Sequence, residues 1–300
     1  LNIGQPDIPT PPAFFDAVHS YRSEVLAYAP SPGVPAYVEA VQRYYQRIGA
    51  PLAEGDILAT TGGSEALQMA MSCILDEGDE ILIPEPFYTN YNTFVHVAGG
   101  SIRPVPSSPE EGYRYAERSR IEPLITERTR AILVTNPGNP TGTVLTPEEM
   151  QLIADIAREH GLFLVADEVY REFVYGGEPL STFLTIPGIE ENLIVVDSVS
   201  KRFSACGARV GALISRNPEF IAQAMKLCQG RLCSATLDQL GASALYSVDP
   251  DYFNATRDEY RRRRNACVEG LHKIPGVVCG EPKGAFYLMA KLPVDDADKF

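Results

Sequence analysis

Thr129-Arg-Ala-Ile-Leu-Val-Thr135, Gly161-Leu-Phe-Leu-Val-Ala166 and Asn192-Leu-Ile-Val-Val196 are three apolar runs of strand length, each followed by polar residues. After the first comes Asn136-Pro-Gly-Asn-Pro-Thr-Gly142. After the second comes Asp167-Glu168-Val169-Tyr170, and after the third Asp197-Ser-Val-Ser-Lys201. None of the runs alternates polar with apolar residues, so each predicts a strand buried on both faces, as in parallel sheets. Between the first two lies Thr146-Pro147-Glu148-Glu149, a capping box with proline at the first helical position. It opens a helix that stops at Gly161.

The same alternation extends outward. Glu80-Ile-Leu-Ile-Pro84 and residues 210–215 read as strands, and residues 35–48, 64–75 and 89–98 as helices. Ser64 is the expected N-cap of the second of these helices, with Gly78 past its end. Long helices are expected from Pro218 and from Pro250 to about Lys273, and residues 284–289 (GAFYLM) read as a strand of a new unit. The pattern predicts an α/β fold: a mainly parallel sheet of the seven-stranded type with helices on both faces, plus an incomplete smaller α+β domain. Residues 1–19 are expected to form an N-terminal arm and small-domain segment, 20–254 the large domain, and 255–300 the start of the smaller one.

Composition narrows the function. A net charge of -13 excludes nucleic acid as a partner, since phosphate binding needs a positive footprint. The one basic run, Arg261 to Arg264, shares a helical pattern with Asp258 and Glu259 and reads as a solvated face. The six cysteines (73, 206, 228, 233, 267 and 279) match no zinc or disulfide spacing. They are expected to be small buried hydrophobes in a reducing compartment, with no metal site. No apolar stretch reaches membrane-span length and no signal peptide opens the chain, so a cytoplasmic protein is expected. A start at Leu1 rather than Met suggests residues ahead of it.

In such a sheet ligands bind at the carboxyl ends of the strands. Asn139, Asp167, Tyr170, Ser198 and Lys201 therefore fall along one edge. Taken singly they have plainer explanations: a turn, a helix cap, a solvated lysine. Taken together they fit one cofactor.

The segment Ser198-Val-Ser-Lys-Arg-Phe-Ser-Ala-Cys-Gly-Ala-Arg-Val-Gly211 resembles the cofactor-lysine motif of the class I/II aminotransferases, the aspartate aminotransferase family of fold type I. The likeness runs from Asn2-Ile-Gly-Gln-Pro-Asp7 through Tyr28-Ala-Pro-Ser-Pro-Gly33 and Thr61-Gly-Gly-Ser-Glu-Ala66 to Gly284-Ala-Phe-Tyr287. It implies that pyridoxal 5'-phosphate forms a Schiff base with Lys201, which is also the proton shuttle once an amino acid displaces it. It implies that Asp167 pairs with the pyridine nitrogen and that Asn139 and Tyr170 donate to the ring's 3-oxygen. The phosphate would lie on the backbone of Gly63, Ser64 and Glu65, with Arg209 and Ser198 beside it. Tyr88 would stack on the ring, and Gly4 and Asn139 would lie near the substrate carboxylate. Tyr28 would reach the phosphate of a neighbouring subunit, making the protein a homodimer.

The implied reaction is ping-pong transfer of an amino group from an α-amino acid to a 2-oxo acid, with aspartate and 2-oxoglutarate as the first pair to expect. The family's carboxylate-binding arginine has no counterpart here, since Lys291 and Lys299 match no such motif. A lyase or synthase on the same scaffold is an alternative. A cofactor-sensing regulator is another, disfavoured by the acidic charge and the lack of a helix-turn-helix pattern.

Overall fold

The computed structural model describes residues 4–175, 180–296 and 299, so Asn2 and Ile3 of the opening motif lie outside the described residues. The chain begins with α1 (Pro12–His19), α2 (Pro35–Arg47), β1 (Ile57–Thr60), α3 (Gly62–Ile74) and β2 (Glu80–Pro84). Next come α4 (Asn90–Val97), β3 (Ser101–Val105), α5 (Arg118–Ile121), β4 (Thr129–Thr135) and α6 (Pro147–Glu159). The site-bearing stretch holds β5 (Phe163–Asp167), β6 (Leu193–Ser198), α7 (Val199–Arg202) and β7 (Gly211–Ile214). Finally come α8 (Pro218–Gly230), α9 (Thr236–Leu245), α10 (Pro250–His272), β8 (Val278–Cys279) and β9 (Ala290–Lys291).

Seven strands form one sheet in the order β1-β7-β6-β5-β4-β2-β3. Only β7 runs against the rest, antiparallel to both β6 and β1. A separate antiparallel pair joins β8 to β9. The mainly parallel seven-stranded sheet is therefore as expected, and so are its two-sided coverings. Ile132, Val134, Leu164, Ala166 and Val195 face a cluster built with α2, α6 and α9. Their strand neighbours Ala131, Leu133, Val165, Ile194 and Val196 face a second cluster with α3, α4 and α8. Burial on both faces is why these strands read as unbroken apolar runs.

Some local expectations are corrected. Ser64 is not the N-cap of α3. The helix opens at Gly62 behind Thr61, and the Glu65 carboxylate turns back to accept the Thr61 N–H at 2.6 Å. Glycine at 62, with φ of 75°, makes the early start possible. Residues 284–289 do not form a strand. Gly284 makes a single bridge to Val174 and Ala285 adopts φ of 54°, which ends extension. The aromatic side chains there pack into a third cluster with Tyr170, Phe173 and Tyr260 instead. The cysteines are free, but only Cys228 and Cys279 are buried; Cys267 is exposed on α10.

Candidate active site

Strand register gathers the functional residues. Thr135 pairs with Asp167, Asp167 with Val196, and Gly211 with both Ser198 and Thr60. The carboxyl ends of β1, β4, β5 and β6 thus meet at one edge, where α3 and α7 begin.

Asp167 ends β5 and is only 5% exposed. Its carboxylate accepts the Tyr91 hydroxyl at 2.7 Å and the Val169 N–H at 3.3 Å. No cation pairs with it among the described residues. Burial pushes its pKa up to about 6; the bonds from Tyr91 and Val169 oppose the rise, while Asp197 and Glu168 add to it. Asp197, one strand over, shows the contrast. Burial would raise it too, but Arg202 and Arg171 hold it below the usual carboxylate range. Of two buried carboxylates at neighbouring strand ends, Asp197 has two arginines against it and Asp167 has no cation among the described residues.

This has a measurable consequence. A folded value of about 6 against an ordinary 3.8 means the native state binds the proton more tightly. The resulting stability is complete below pH ~4 and fades as pH rises through about 6. In urea unfolding of the cofactor-free protein, the parent should lose on the order of 2 kcal/mol relative to Asp167→Asn between pH 4.5 and 7. Parallel pH profiles for the two proteins would contradict the assignment.

Lys201 lies in α7, a four-residue helix capped by Ser198, whose hydroxyl accepts the Ser200 N–H at 3.1 Å. The Ser198 hydroxyl also bonds Ser200 Oγ and the Val210 carbonyl, so it is engaged within its own loop. Lys201 is half-buried; its Nζ donates to the Gly4 carbonyl at 2.5 Å and lies 3.8 Å from Cys206 Sγ. Gly4 must be glycine, because a Cβ there would stand 1.7 Å from the Tyr287 hydroxyl. Tyr287 bonds Tyr170, hydroxyl to hydroxyl, at 2.6 Å, and Asn139 Nδ2 donates to Tyr170 at 3.4 Å. Lys201, Gly4, Tyr287, Tyr170 and Asn139 therefore form one continuous set of contacts.

Tyr88 stands edge-on to Tyr91 with centroids 5.4 Å apart, and its hydroxyl accepts from Asn90. Burial raises the Tyr88 phenol, with Asp167 and Arg209 both within electrostatic reach. Arg209 holds a left-handed backbone, φ of 51°, that carries its guanidinium over the first turn of α3. A Cβ on Gly62 would lie 2.5 Å from it. The free first-turn amides around Gly63 and Ser64, the Ser64 hydroxyl and Arg209 make a donor set suited to a phosphate group. The Glu65 side chain faces away, paired with Arg231 at 3.0 Å. Tyr28 is 79% exposed and stands apart from this set within its own chain.

Several participants escaped the sequence reading. Tyr91 lies three residues after Tyr88 on the helical repeat and could have been found from that spacing. Tyr287 was visible only as part of a resemblance. A buried charge network was not foreseen at all. Arg202 Nη2 bonds both oxygens of Asp197, at 2.7 and 2.8 Å, and stacks 4.2 Å over the Tyr44 ring. Asp197 also takes Arg171 Nη2 at 3.2 Å and the Tyr45 hydroxyl at 3.0 Å, and Arg171 pairs with Glu168. Each charged member adjoins a site residue in sequence: 168 beside 167, 171 beside 170, 197 beside 198, 202 beside 201. The network ties together, from behind, the loops that carry the site.

The profile of the family Aminotransferase class I and II matches residues 1–300. The chain belongs to the class I and II aminotransferases. These are pyridoxal-phosphate-dependent enzymes, and the unpaired Asp167, the glycine-lined helix start and the half-buried Lys201 fit that cofactor. This aminotransferase is 34% identical over 290 residues to the aspartate aminotransferase of Streptomyces avermitilis, covering 95% of this chain and 70% of the relative. Its fold matches the aspartate aminotransferase of Thermotoga maritima with a TM-score of 0.92 at 29% identity, covering 100% and 79% of the two chains. It matches the alanine aminotransferase of Pyrococcus furiosus with a TM-score of 0.90 at 32% identity, covering 99% and 77%. No helix among the described residues is long and apolar enough to cross a membrane.

Proposed function

We propose that this aminotransferase moves an amino group from an α-amino acid to a 2-oxo acid by a ping-pong route, with Lys201 as both attachment point and proton carrier. The observation that carries the proposal is the buried Asp167 carboxylate, which has no cation against it among the described residues, at the same sheet edge where Lys201 is held. Bound pyridoxal phosphate supplies an aldehyde for amines and a ring that withdraws electrons from the substrate α-carbon. The chain's own residues do the rest. Asp167 keeps the ring nitrogen protonated by pairing with it, and Tyr91 fixes the orientation of that carboxylate. Asn139 and Tyr170 donate to the ring oxygen, and Tyr88 covers one ring face.

Arg209, the Ser64 hydroxyl and the first-turn amides around Gly63 and Ser64 would grip the phosphate, with Ser198 bracing the loop beside them. As a free amine, Lys201 would be the group placed to take and return the proton of the substrate α-carbon. Gly4 and Asn139 border the substrate carboxylate. A second copy of the chain contributes Tyr28 and covers the neighbouring Val25 and Leu26, which are 69% and 59% exposed in the single chain. The segment from about residue 255 begins a smaller domain.

Aspartate is the first amino donor, supported by the name of the Streptomyces relative, and 2-oxoglutarate is the 2-oxo acid proposed to pair with it. The purified protein, loaded with cofactor, should convert this pair to oxaloacetate and glutamate in equal amounts. Amine release without any need for a 2-oxo acid would contradict transamination and favour a lyase.

A further inference from the structure

Tyr170 and Tyr287 face each other hydroxyl to hydroxyl, 2.6 Å apart. Two phenols carry two protons, and the bond between them uses one. The second has no acceptor among the described residues. The other polar contact at the pair is Asn139 Nδ2, itself a donor, 3.4 Å from the Tyr170 oxygen. Tyr170 is 2% exposed, where an unmade hydrogen bond is costly. The Tyr170 oxygen has two lone pairs. Either hydroxyl can donate across this bond; when Tyr287 donates, Asn139 and Tyr287 fill both lone pairs and the Tyr170 hydrogen is left to point into the site.

Tyr287 is itself fixed. Its ring packs against Phe286 and Tyr170, with centroids 4.9 and 5.4 Å away, and its hydroxyl end abuts the backbone of Gly4. The titratable groups facing the pair are Asp167 at the end of β5, Tyr88 and Tyr91 at α4, and Cys206 after α7. Lys201 reaches the same place through the Gly4 carbonyl.

We propose that Tyr287 is a positioning residue: it donates to Tyr170 and so aims the Tyr170 hydroxyl at the oxygen of a bound pyridoxal ring. This rests on the function proposed above. Donation to that oxygen stabilises its negative charge, and a donor that itself accepts a hydrogen bond is strengthened by it. Loss of the Tyr287 hydroxyl therefore weakens Tyr170 as a donor. The nitrogen contributed by Lys201 then holds its proton to higher pH.

The test is a pH titration of the visible absorption of the cofactor-loaded protein, in the parent, Tyr287→Phe, Tyr170→Phe and the double variant. Tyr287→Phe should unfold at the parent's temperature and raise the titration midpoint by about half a pH unit, roughly threefold in proton affinity. Tyr170→Phe should raise it further. In the Tyr170→Phe background, removing the Tyr287 hydroxyl should move it by less than about 0.2. An unchanged midpoint in Tyr287→Phe would overturn the proposal. So would equal shifts in both backgrounds, since Tyr287 would then act without Tyr170. A parent with no visible absorption after loading would overturn the proposed function, and this assignment with it.

Discussion

Lys201→Ala is expected to lower kcat by about 10⁴-fold or more, measured with saturating amino acid and 2-oxo acid. One amine is assigned two tasks, and the substitution removes both. Loss of a positioned acid–base group alone costs roughly 10²–10⁴-fold, and loss of the covalent hold on the cofactor adds to that. The fold should survive, because the side chain is half-buried and its polar contacts are a single carbonyl and a thiol. Thermal unfolding of the cofactor-free variant should therefore follow the parent. Lys201→Arg should not restore turnover, since a guanidinium does not give up its proton at neutral pH. Activity within tenfold of the parent in Lys201→Ala would show that the proton moves by another route.

Arg202→Met should have the largest effect on stability, about 3–5 kcal/mol in urea unfolding. The side chain is fully buried, and its guanidinium is the closest cation to Asp197. Removing it leaves a carboxylate in the interior with only Arg171 to balance it, while Arg171 is already shared with Glu168. The cost is the exposed imbalance rather than the lost bond. The double variant Asp197→Leu/Arg202→Met should accordingly recover part of the loss, because an apolar pair of similar bulk leaves no orphan charge. A single-variant loss below about 1 kcal/mol would mean that Arg171 alone suffices. Thr182 and the Phe183 N–H, which bond Glu168, should then prove the firmer anchor of these loops.

Much of this molecule was legible from its residues, for identifiable physical reasons. The central strands could be read because burial on both faces forbids polar residues in them, and α6 because Thr146, Pro147 and Glu149 write a full capping box, which the structure contains. The flanking strands β1 and β3 were not read. β1 has only four residues, and β3 is a half-exposed edge strand carrying Pro104. The helices α1 and α9 pack together, with Phe14 against Gly241, and neither carries a side-chain cap to announce it. GAFYLM misled because aromatic residues favour strands in general, whereas here they fill a cluster around Tyr170.

The site divided along the same line. Residues at the carboxyl end of a strand, such as Asp167, or just past it, such as Lys201, follow from topology. Tyr91, Tyr287 and the Arg202–Asp197 network depend on contacts between distant segments, and only three-dimensional packing brings those together.

The most direct measurement is borohydride reduction of the protein loaded with pyridoxal phosphate, followed by proteolysis and mass spectrometry. Reduction fixes the cofactor to whichever lysine holds it. A single modified peptide carrying the label on Lys201 is the expected result. Label on Lys226, Lys283 or any other lysine, with Lys201 unmodified, would contradict the placement of the cofactor between Lys201 and Asp167.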